Sequence, residues 1–483
     1  MQVARRQLDW PLLTVLLMGV LYLLLPSINS SGDTYAYACL IRDGKELFMP
    51  HHLLYNAFYY IPVKLFYITN TLPFICIMNA VFAMGCLLFA NAILSPFTSK
   101  RTRAMTLIFL GACFGFMRYA TTGETYILPL FFSLWASWAA INRKSTYWVA
   151  LLASVACLFH QVHFFWWLGL LFFIMAAYKD EWWKNFVRYG IVSCIVPVVY
   201  ILVFYLTDND SSSVVEFIAH DYVHHDSVSF SIKAKSLLLT PVNLIRTFYQ
   251  VHGYMLPLIQ KYWVIGFFML VSVVLGIMGC IKLRRVGKEK TDSFFYSRFA
   301  KYHLVIFFLQ LLFAFISDGN AEFMVMLPFA LALSLFPAYR FRRLPAYAFA
   351  GSILIWNLPV GLIPAHFFEL TSEPAMVRYV ENHPDEVYYL SDKQTVDTNL
   401  EYNRPGQNFQ LYAVKEDTYE LDSLLQQNDY VLSNAFSPKV MSRSSMVSSI
   451  PQLSSYQIET VDSIVYDLGV LIVSKISLPQ SSP

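Results

Sequence analysis

Long apolar segments follow one another along most of the chain, and they limit its possible folds more than any other feature. Only 14% of the 483 residues are charged and 57% are hydrophobic, whereas globular domains carry roughly a quarter charged residues. Since a helix needs about 20 apolar residues to cross a bilayer, the sequence predicts a polytopic α-helical membrane protein with about 11 transmembrane helices. We place these helices at 10–27, 71–95, 104–120, 124–142, 146–162, 164–178, 189–207, 259–282, 302–317, 322–338 and 345–364.

Lysine and arginine residues indicate how the helices are oriented. They cluster in every second connecting segment, so all clusters lie on one side of the membrane. Because loops rich in these residues stay in the cytoplasm, we expect a cytoplasmic N-terminus and an extracytoplasmic C-terminal segment. The first apolar segment is not followed by a small-residue cleavage site, so we expect it to be retained. The clusters are Arg5/Arg6, 100–103, 143–144, 179–188, 282–301 and 340–343.

Residues 366–483 differ from the rest of the chain. Polar residues are frequent there, and no run is long enough to span a membrane. Glu373 and Pro374 are typical of a helix start, and short β-branched and aromatic runs predict strands. The sequence therefore divides into a transmembrane domain, 1–365, and a small C-terminal α/β extracytoplasmic domain, 366–483. The predicted strands lie at 386–390, 429–432, 463–466 and 469–473, with a helix at 421–427.

Ionisable residues collect at the extracytoplasmic ends of the predicted helices. Asp33 follows the first apolar segment, and Arg118 and Glu124 lie at the turn between the third and the fourth. Asp33 suits a general base or a group that positions an acceptor, but it also suits a cap for a helix beginning at Thr34. Glu124 is compatible with a helix N-terminus. Because arginine is disfavoured on this face, we favour pairing of Arg118 with a phosphate or a carboxylate over simple snorkelling.

Histidines are concentrated on the same predicted face. His51 and His52 are adjacent and open an aromatic segment, 51–68, that predicts an interfacial helix; His160 and His163 are spaced i, i+3. No HExxH pattern or CxxC spacing accompanies them, so we predict no metal and no cofactor. Hydrogen bonding to phosphate or sugar hydroxyls and simple packing remain the alternatives. Further candidates on this face are His220, Asp221, His224, His225, Asp226, Asp318 and Glu322.

Four motifs occur in a recognisable order. Gly32-Asp33 is followed by the run Pro50 to Tyr55, then by Glu124-Thr125-Tyr126 at the start of a predicted span, and by the histidine-bearing helix end Leu158 to His163. This order resembles the GT-C superfamily of polytopic glycosyltransferases. The nearer resemblance is to a bacterial membrane family related to the transmembrane protein O-mannosyltransferases. That family has a second acid where Thr34 stands, and prolines in the second motif, so the sugar and the acceptor stay open.

The resemblance implies an inverting glycosyltransferase that uses a polyprenyl-phosphate-linked sugar at the outer face of the bacterial inner membrane. Asp33 would take the proton of an acceptor hydroxyl, on a protein or a glycan, as that oxygen attacks the anomeric carbon. The leaving polyprenyl phosphate would be neutralised by Arg118 and by His160 or His163, and Glu124 would bind sugar or position groups near Asp33. The remaining substrate contacts that the resemblance implies are His51, His52, Tyr55 and Tyr126.

Two other functions involve the same class of lipid. A transporter or flippase of lipid-linked glycans tends to show two similar halves and helices broken at mid-membrane, and the sequence has no convincing repeat. A polymerase or ligase of lipid-linked glycans usually depends on arginines in large external loops, whereas the predicted loop 208–258 contains only Arg246. The net charge of +3 is too small to favour nucleic acid as a partner.

Overall fold

The computed structural model describes most of the chain, and it is mostly helical. The residues grouped by their contacts form two compact units, of which the first comprises Met1–Pro26, Gly44–Gln250 and Phe268–Leu362. The second comprises Ser27–Asp43, Val251–Phe267 and Ile363–Pro483. The second unit thus differs from the predicted domain 366–483, because two earlier segments join the tail. The described residues are 9–209, 211–224, 234–251, 253–282, 285–287, 294–336, 340–341, 343–415, 418–437 and 455–479.

The helices follow one another with short connections. The α-helices are α1 (Trp10–Leu24), α2 (Gly32–Asp43), α3 (Tyr55–Leu65), α4 (Thr71–Leu94), α5 (Lys100–Ala112), α6 (Phe114–Ala120), α7 (Ile127–Ile141), α8 (Thr146–Phe159), α9 (Phe164–Ala177), α10 (Trp182–Ser193), α11 (Ile195–Leu206), α12 (Val214–His224), α13 (Ala234–Phe248), α14 (Met255–Lys261), α15 (Trp263–Lys282), α16 (Phe294–Ile316), α17 (Leu327–Leu335), α18 (Arg343–Asn357), α19 (Ile363–Phe367), α20 (Glu373–Asn382), α21 (Lys393–Asn403) and α22 (Tyr419–Gln427). Short 3₁₀ segments lie at Pro50–His52, Gln161–His163, Lys179–Glu181 and Glu322–Met324, and a π-helical turn at Leu358–Leu362.

Several helices satisfy the length and composition of a membrane span. The prediction of a helical integral membrane protein is therefore confirmed, while the number of eleven spans stays a prediction. Helical segments long and apolar enough to cross a bilayer are Thr71–Leu94, Lys179–Leu206, Trp263–Lys282, Phe295–Ile316 and Pro345–Phe367. Shorter apolar helices are Trp10–Leu24, Ile127–Ile141, Thr146–Phe159, Gln161–Ala177 and Glu322–Leu335.

The first unit is a helix bundle with small residues at its contacts. Helix α4 packs against α7 and α1, and its alanines 80, 83 and 90 are fully or almost fully buried. Small side chains let helix backbones approach closely where the surroundings are as apolar as the core. The long stretch predicted as one span at 104–120 is divided at Cys113, whose ψ of 128° is not helical. This break starts the short helix α6, which leads into the turn with Glu124.

The predicted external loop 208–258 differs from the structure in part. It contains two helices, α12 and α13. In α13 the buried positions recur three to four residues apart and are polar (Ser236, Thr240, Asn243 and Thr247), whereas Leu237, Leu238 and Ile245 are exposed. His225 and Asp226 lie outside the described residues, as do the side chains of His220, Asp221 and His224.

The second unit contains a mixed sheet and helices. Its strand order is β4-β3-β5-β7-β6, in which β4, β3 and β5 are parallel and β7 pairs antiparallel with both neighbours. All four residues of β3 are buried, as expected for a parallel strand covered on both faces. The strands are β3 (Val387–Leu390), β4 (Gln410–Ala413), β5 (Val431–Ser433), β6 (Gln457–Tyr466) and β7 (Gly469–Ser477), while β1 (Arg285–Gly287) and β2 (Arg340–Phe341) form an antiparallel pair in the first unit.

Most of the tail elements coincide with the predictions. The predicted strands overlap β3, β5, β6 and β7, and the predicted helix 421–427 lies in α22. Strand β4 and helix α21 were not predicted. Strand β4 spans only four residues, Gln410–Ala413, and alternates too weakly to stand out. Helix α21 begins with Asp392 as its N-cap, which accepts a hydrogen bond from the backbone N–H of Thr395.

Candidate functional site

The turn that carries Glu124 is held by buried side chains from neighbouring helices. The amide of Asn79 on α4 donates to two carbonyl oxygens of the turn 122–124, each at 2.8 Å. The hydroxyl of Tyr55 donates to a third carbonyl at 2.9 Å, and the hydroxyl of Tyr59 donates to the Asn79 Oδ1 at 3.0 Å. The side chains of Asn79, Tyr55 and Tyr59 are fully buried. We call these three residues the turn clamp.

The turn clamp fixes the backbone from which the Glu124 carboxylate projects. Carbonyl groups inside an apolar bundle must find donors, because an unpaired one is costly. Glu124 itself is 6% exposed. Asn79 and Tyr59 were missed by sequence reasoning, although a fully buried polar residue in an apolar helix such as α4 is the kind of residue that marks a function inside a membrane protein.

A second acid is joined to the same turn. The hydroxyl of Tyr126 donates to the Glu322 Oε2 at 2.9 Å, and the amide of Asn320 donates to the same oxygen at 3.3 Å. The backbone N–H of Glu322 in turn donates to the Asn320 Oδ1 at 3.1 Å. Glu322, which the sequence left undecided between a cleft and a simple loop, is thus connected to the segment that begins α7. Asp318 is also buried and lies 4.0 Å from the amino group of Lys235.

Charged groups of both signs surround the hydroxyl of Tyr119 on α6. The side chains of Glu322, Arg118, Glu124 and Arg246 all act on it electrostatically. Arg118 also lies against the Tyr119 ring, with 5.2 Å from its guanidinium carbon to the ring centroid. Tyr119 is 2% exposed, and its hydroxyl has no hydrogen-bond partner among the residues that the structure describes. Two acids and two arginines therefore lie near a buried hydroxyl that has no hydrogen-bond partner within the described part of the chain.

Three of the predicted histidines form one aromatic cluster. The ring centroids of His51 and His52 are 3.7 Å apart, and those of His52 and His160 are 5.5 Å apart. The His160 ring also lies 5.2 Å from that of Tyr126, which connects the cluster to the turn. His163 instead lies within hydrogen-bonding distance of Ser133 on α7, 2.7 Å from its Nδ1 to the hydroxyl. The structure thus brings His51, His52 and His160 together with Tyr126.

Gln161 holds the two histidine segments together. Its amide nitrogen lies 3.1 Å from the Pro50 carbonyl oxygen, 2.9 Å from that of Ile218 and 3.0 Å from the Tyr200 hydroxyl. The Tyr200 hydroxyl donates to the same Pro50 carbonyl at 2.6 Å. Because Pro50 precedes His51 and His52, these bonds set where their backbone lies. Tyr200 was not predicted, since nothing in its own apolar helix distinguishes it from an interfacial tyrosine.

His52 is uncharged at neutral pH. It lies in the 3₁₀ segment Pro50–His52, outside the apolar helices, and is 4% exposed. Burial, and then the neighbouring rings of His51 and His160, hold the pKa of His52 well below 6.5. A neutral imidazole donates or accepts hydrogen bonds but does not balance phosphate charge. Among the described residues, no group of three or more His, Cys, Asp and Glu side chains is arranged to hold a metal ion.

Asp33 belongs to the second unit. It lies in the first turn of α2, is exposed, and accepts a hydrogen bond from the amide of Gln394 at 3.0 Å. Its carboxylate complements the positive end of the helix. Helix α2 begins at Gly32 and not at Thr34, and the Ser31 hydroxyl accepts from the Thr34 N–H at 3.1 Å. Arg118 and Glu124 belong to the first unit, and the convergence of Asp33 with them stays a prediction.

These observations define a class: a helical integral membrane protein with a buried cluster of ionisable and aromatic side chains. No family model and no curated protein matches the chain. ArnT from Cupriavidus metallidurans, solved in the apo state, is similar with a TM-score of 0.42 and 11% identity over 96% of this chain and 97% of that chain. The archaeal oligosaccharyltransferase AglB from Archaeoglobus fulgidus, solved with an inhibitory peptide and a dolichol-phosphate, gives a TM-score of 0.39 and 11% identity over 88% of this chain and 69% of that chain. Both scores are too low to decide the family or the function of this chain.

Proposed function

We propose that this protein is a GT-C-type membrane glycosyltransferase, which moves a sugar from a polyprenyl-phosphate donor to an acceptor hydroxyl at the outer face of the membrane. The observation that carries the proposal is the set of charges around the buried hydroxyl of Tyr119: Arg118 and Arg246 with Glu124 and Glu322. Ionisable groups inside a membrane protein are costly and therefore point to a function. The motif resemblance, which covers roughly the first 170 residues, favours glycosyl transfer among the possible functions.

The two arginines suit the phosphate of the donor. A guanidinium presents a planar fork of donors that matches phosphate oxygens, and it stays charged at any physiological pH. Arg118 lies on the Tyr119 ring, which limits the directions in which its donors point. The charge that develops on the leaving phosphate is then stabilised by groups that are already in place.

The acids and the hydroxyl suit the sugar. Glu124, held by the turn clamp, offers carboxylate oxygens that accept hydrogen bonds from sugar hydroxyls. Glu322 is joined to Tyr126, so the aromatic rings of Tyr126 and His160, 5.2 Å apart, lie beside an acid. Carbohydrate rings have apolar faces that pack on aromatic rings and hydroxyls that need polar partners. The buried cluster offers both.

Asp33 serves as the base in the proposed reaction. The acceptor oxygen forms a bond to the anomeric carbon and gives its proton to the Asp33 carboxylate. The bond between the anomeric carbon and the phosphate oxygen breaks, and its electron pair leaves with polyprenyl phosphate. Attack opposite the leaving group inverts the anomeric carbon. A mannosyl donor and a protein hydroxyl are the first pair that the resemblance proposes.

The test is the substitution Asp33→Asn in purified protein reconstituted with a panel of polyprenyl-phosphate monosaccharides. We expect release of polyprenyl phosphate in the presence of acceptor to fall by at least about 100-fold, because general base catalysis contributes roughly 10²–10⁴-fold. Donor binding should be retained, because the substitution keeps the shape of the side chain. The matched control is Asp397→Asn, an exposed acid on α21 paired with Lys393 at 3.4 Å.

Two results would contradict the proposal. If Asp33→Asn releases polyprenyl phosphate as fast as Asp397→Asn does, Asp33 is not the base. If no donor of the panel is cleaved by the wild-type protein, but labelled donor exchanges between the leaflets of the vesicle, the protein is a flippase and not a transferase.

A further inference from the structure

Helices α2 and α21 lie side by side in the second unit and run in the same direction. At their N-terminal ends Gly32 lies beside Thr395, and at their C-terminal ends the guanidinium of Arg42 donates to the carbonyl of Tyr402 at 3.1 Å. The N-terminal ends of the two helices contact each other and so do their C-terminal ends, so the helices are parallel. The first turn of α2 therefore lies next to the first turn of α21.

Gly32 permits this close approach. A Cβ atom at Gly32 would lie 3.1 Å from the Thr395 Oγ1, 3.2 Å from its Cα and 3.3 Å from its backbone nitrogen. Two of these atoms are backbone, so a side chain would push α21 away by a few tenths of an ångström. The absence of a side chain at Gly32 thus brings the next residue, Asp33, within reach of α21.

Gln394 uses that proximity. Its amide nitrogen donates to the Asp33 Oδ1 at 3.0 Å. An amide adds a directed hydrogen bond without adding charge, so the carboxylate keeps its capacity to accept a proton. The bond restrains one oxygen and therefore the rotation of the carboxylate, which sets the direction of the other oxygen.

We propose that Gln394 is a positioning residue for the Asp33 base, and that the α/β unit therefore takes part in catalysis. This inference depends on the proposed function, because it assigns to Gln394 the orientation of the group that accepts the proton. The tail then has a catalytic role through α21, in addition to any role in binding an acceptor.

The charged neighbours on α21 are engaged elsewhere. The carboxylate of Asp392 caps α21 by accepting from the Thr395 N–H at 3.1 Å, and Lys393 pairs with Asp397 at 3.4 Å. In the first turn of α2, Asp33 is the acidic residue. The side chain of Gln394, between Lys393 and Thr395, bonds directly to the Asp33 carboxylate.

The experiment compares Gln394→Ala, Gln394→Glu and wild-type protein in the polyprenyl-phosphate release assay across pH. We expect Gln394→Ala to lower kcat by about threefold to tenfold, because one hydrogen bond to a charged group is lost. The KM for the donor should change little. A hydrogen bond to a carboxylate favours its charged form, so the acidic limb of the kcat profile should move to higher pH. Gln394→Glu places a like charge beside Asp33 and should move that limb further.

Gln407→Ala is the matched control, because Gln407 is exposed and lies beyond the end of α21. It should leave kcat and the pH profile unchanged. If Gln394→Ala and Gln394→Glu both keep the wild-type kcat and acidic limb while Asp33→Asn is inactive, the inference is wrong and the proposed function survives. If Asp33→Asn is itself fully active, the proposed function fails first. A loss of kcat with an unmoved limb would mean a structural role for Gln394 and would also overturn the inference.

Discussion

The turn at Glu124 and the contact between α2 and α21 both hold an acid, but they do so in opposite ways. The turn 122–124 is buried and receives hydrogen bonds from the turn clamp, Asn79, Tyr55 and Tyr59. Asp33 is exposed, and the bond from Gln394 is made at the surface. The first arrangement excludes water, whereas water competes for the hydrogen bond between Gln394 and Asp33.

This difference in burial predicts which substitutions change the free energy of unfolding and which change the reaction rate. A buried hydrogen bond is costly to break because the remaining group finds no water. An exposed one contributes little to folding, since water replaces the lost partner. Changes in the turn clamp should therefore affect unfolding before chemistry, and changes in the α2–α21 contact should affect chemistry with almost no effect on unfolding.

Asn79→Leu should have the largest effect on folding. It removes the amide that donates to two carbonyl groups and accepts from Tyr59, so the two buried carbonyl groups lose their donor and the Tyr59 hydroxyl loses its acceptor. We expect a loss of about 3 kcal/mol in the free energy of unfolding, measured by thermal or denaturant unfolding in one detergent. Asn91→Leu, on the same helix but partly exposed, should change it by less than about 0.5 kcal/mol. Equal losses in the two variants would refute the turn clamp.

His52 should make folding sensitive to pH. Its pKa is lowered in the folded protein by burial, then by His51 and His160, while the unfolded imidazole titrates near 6.5. The unfolded state therefore binds the extra proton, and stability present above about pH 6.5 is lost as the pH falls, at about 1.4 kcal/mol per pH unit for one group. His52→Gln should reduce the slope of unfolding free energy against pH between 6.5 and 5 by up to that amount. An unchanged slope would show that His52 does not carry this dependence.

Tyr126→Phe should have an intermediate effect. It removes the hydroxyl that donates to Glu322 at 2.9 Å, but Asn320 continues to donate to that carboxylate. We expect a loss of about 1 kcal/mol in unfolding free energy together with weaker donor binding, measured by titration of a polyprenyl-phosphate sugar. Tyr147→Phe, at a half-exposed position on α8, is the control. If both variants bind the donor with equal affinity, Tyr126 does not contribute to binding of the sugar.

Gly32→Ala should have the smallest effect on folding, although it lies at the contact between α2 and α21. The added methyl group separates α2 from α21 by a few tenths of an ångström, while alanine favours a helix by up to about 1 kcal/mol. These terms oppose each other, so the unfolding midpoint should hardly move, whereas polyprenyl phosphate release should fall as in Gln394→Ala. Gly351→Ala has open space around the new Cβ atom and should alter neither quantity. A wild-type rate for Gly32→Ala would show that the close approach at Gly32 is not needed to orient Asp33.

Sequence reasoning was most successful where the signal is local. Length and apolarity alone predicted helices such as α4 and α15, and the strands β3 and β7 follow from short runs of β-branched and aromatic residues. The break at Cys113 was not predicted, although Gly111 and Gly115 lie two residues to either side of it. The apolar composition on both sides of it reads as one continuous helix.

The partners inside the candidate site could not be predicted in the same way. Tyr126 and Glu322 are 196 residues apart, and nothing in either residue specifies the other. Glu124 was singled out because it is charged, but Asn79 and Tyr59, which hold its turn, are neutral and were overlooked. Helix α21 was also missed, and with it the bond from Gln394 to Asp33. Long-range pairing depends on how the helices pack, which a single sequence does not contain.

The composition of the second unit has a consequence for biosynthesis. The amide of Asn29 donates to the carbonyl of Ala365 at 2.9 Å, 336 residues later in the chain, and its Oδ1 accepts from the N–H of Leu370 at 2.8 Å. The segment with Asp33 is therefore among the first to leave the ribosome, yet the surface on which it docks is among the last. A nascent chain stalled before the tail would already carry its apolar helices but would lack an ordered Asp33. If Asp33 is the base, as proposed, activity requires the chain up to α21, so a chain that ends before Lys393 should be inactive however well it inserts.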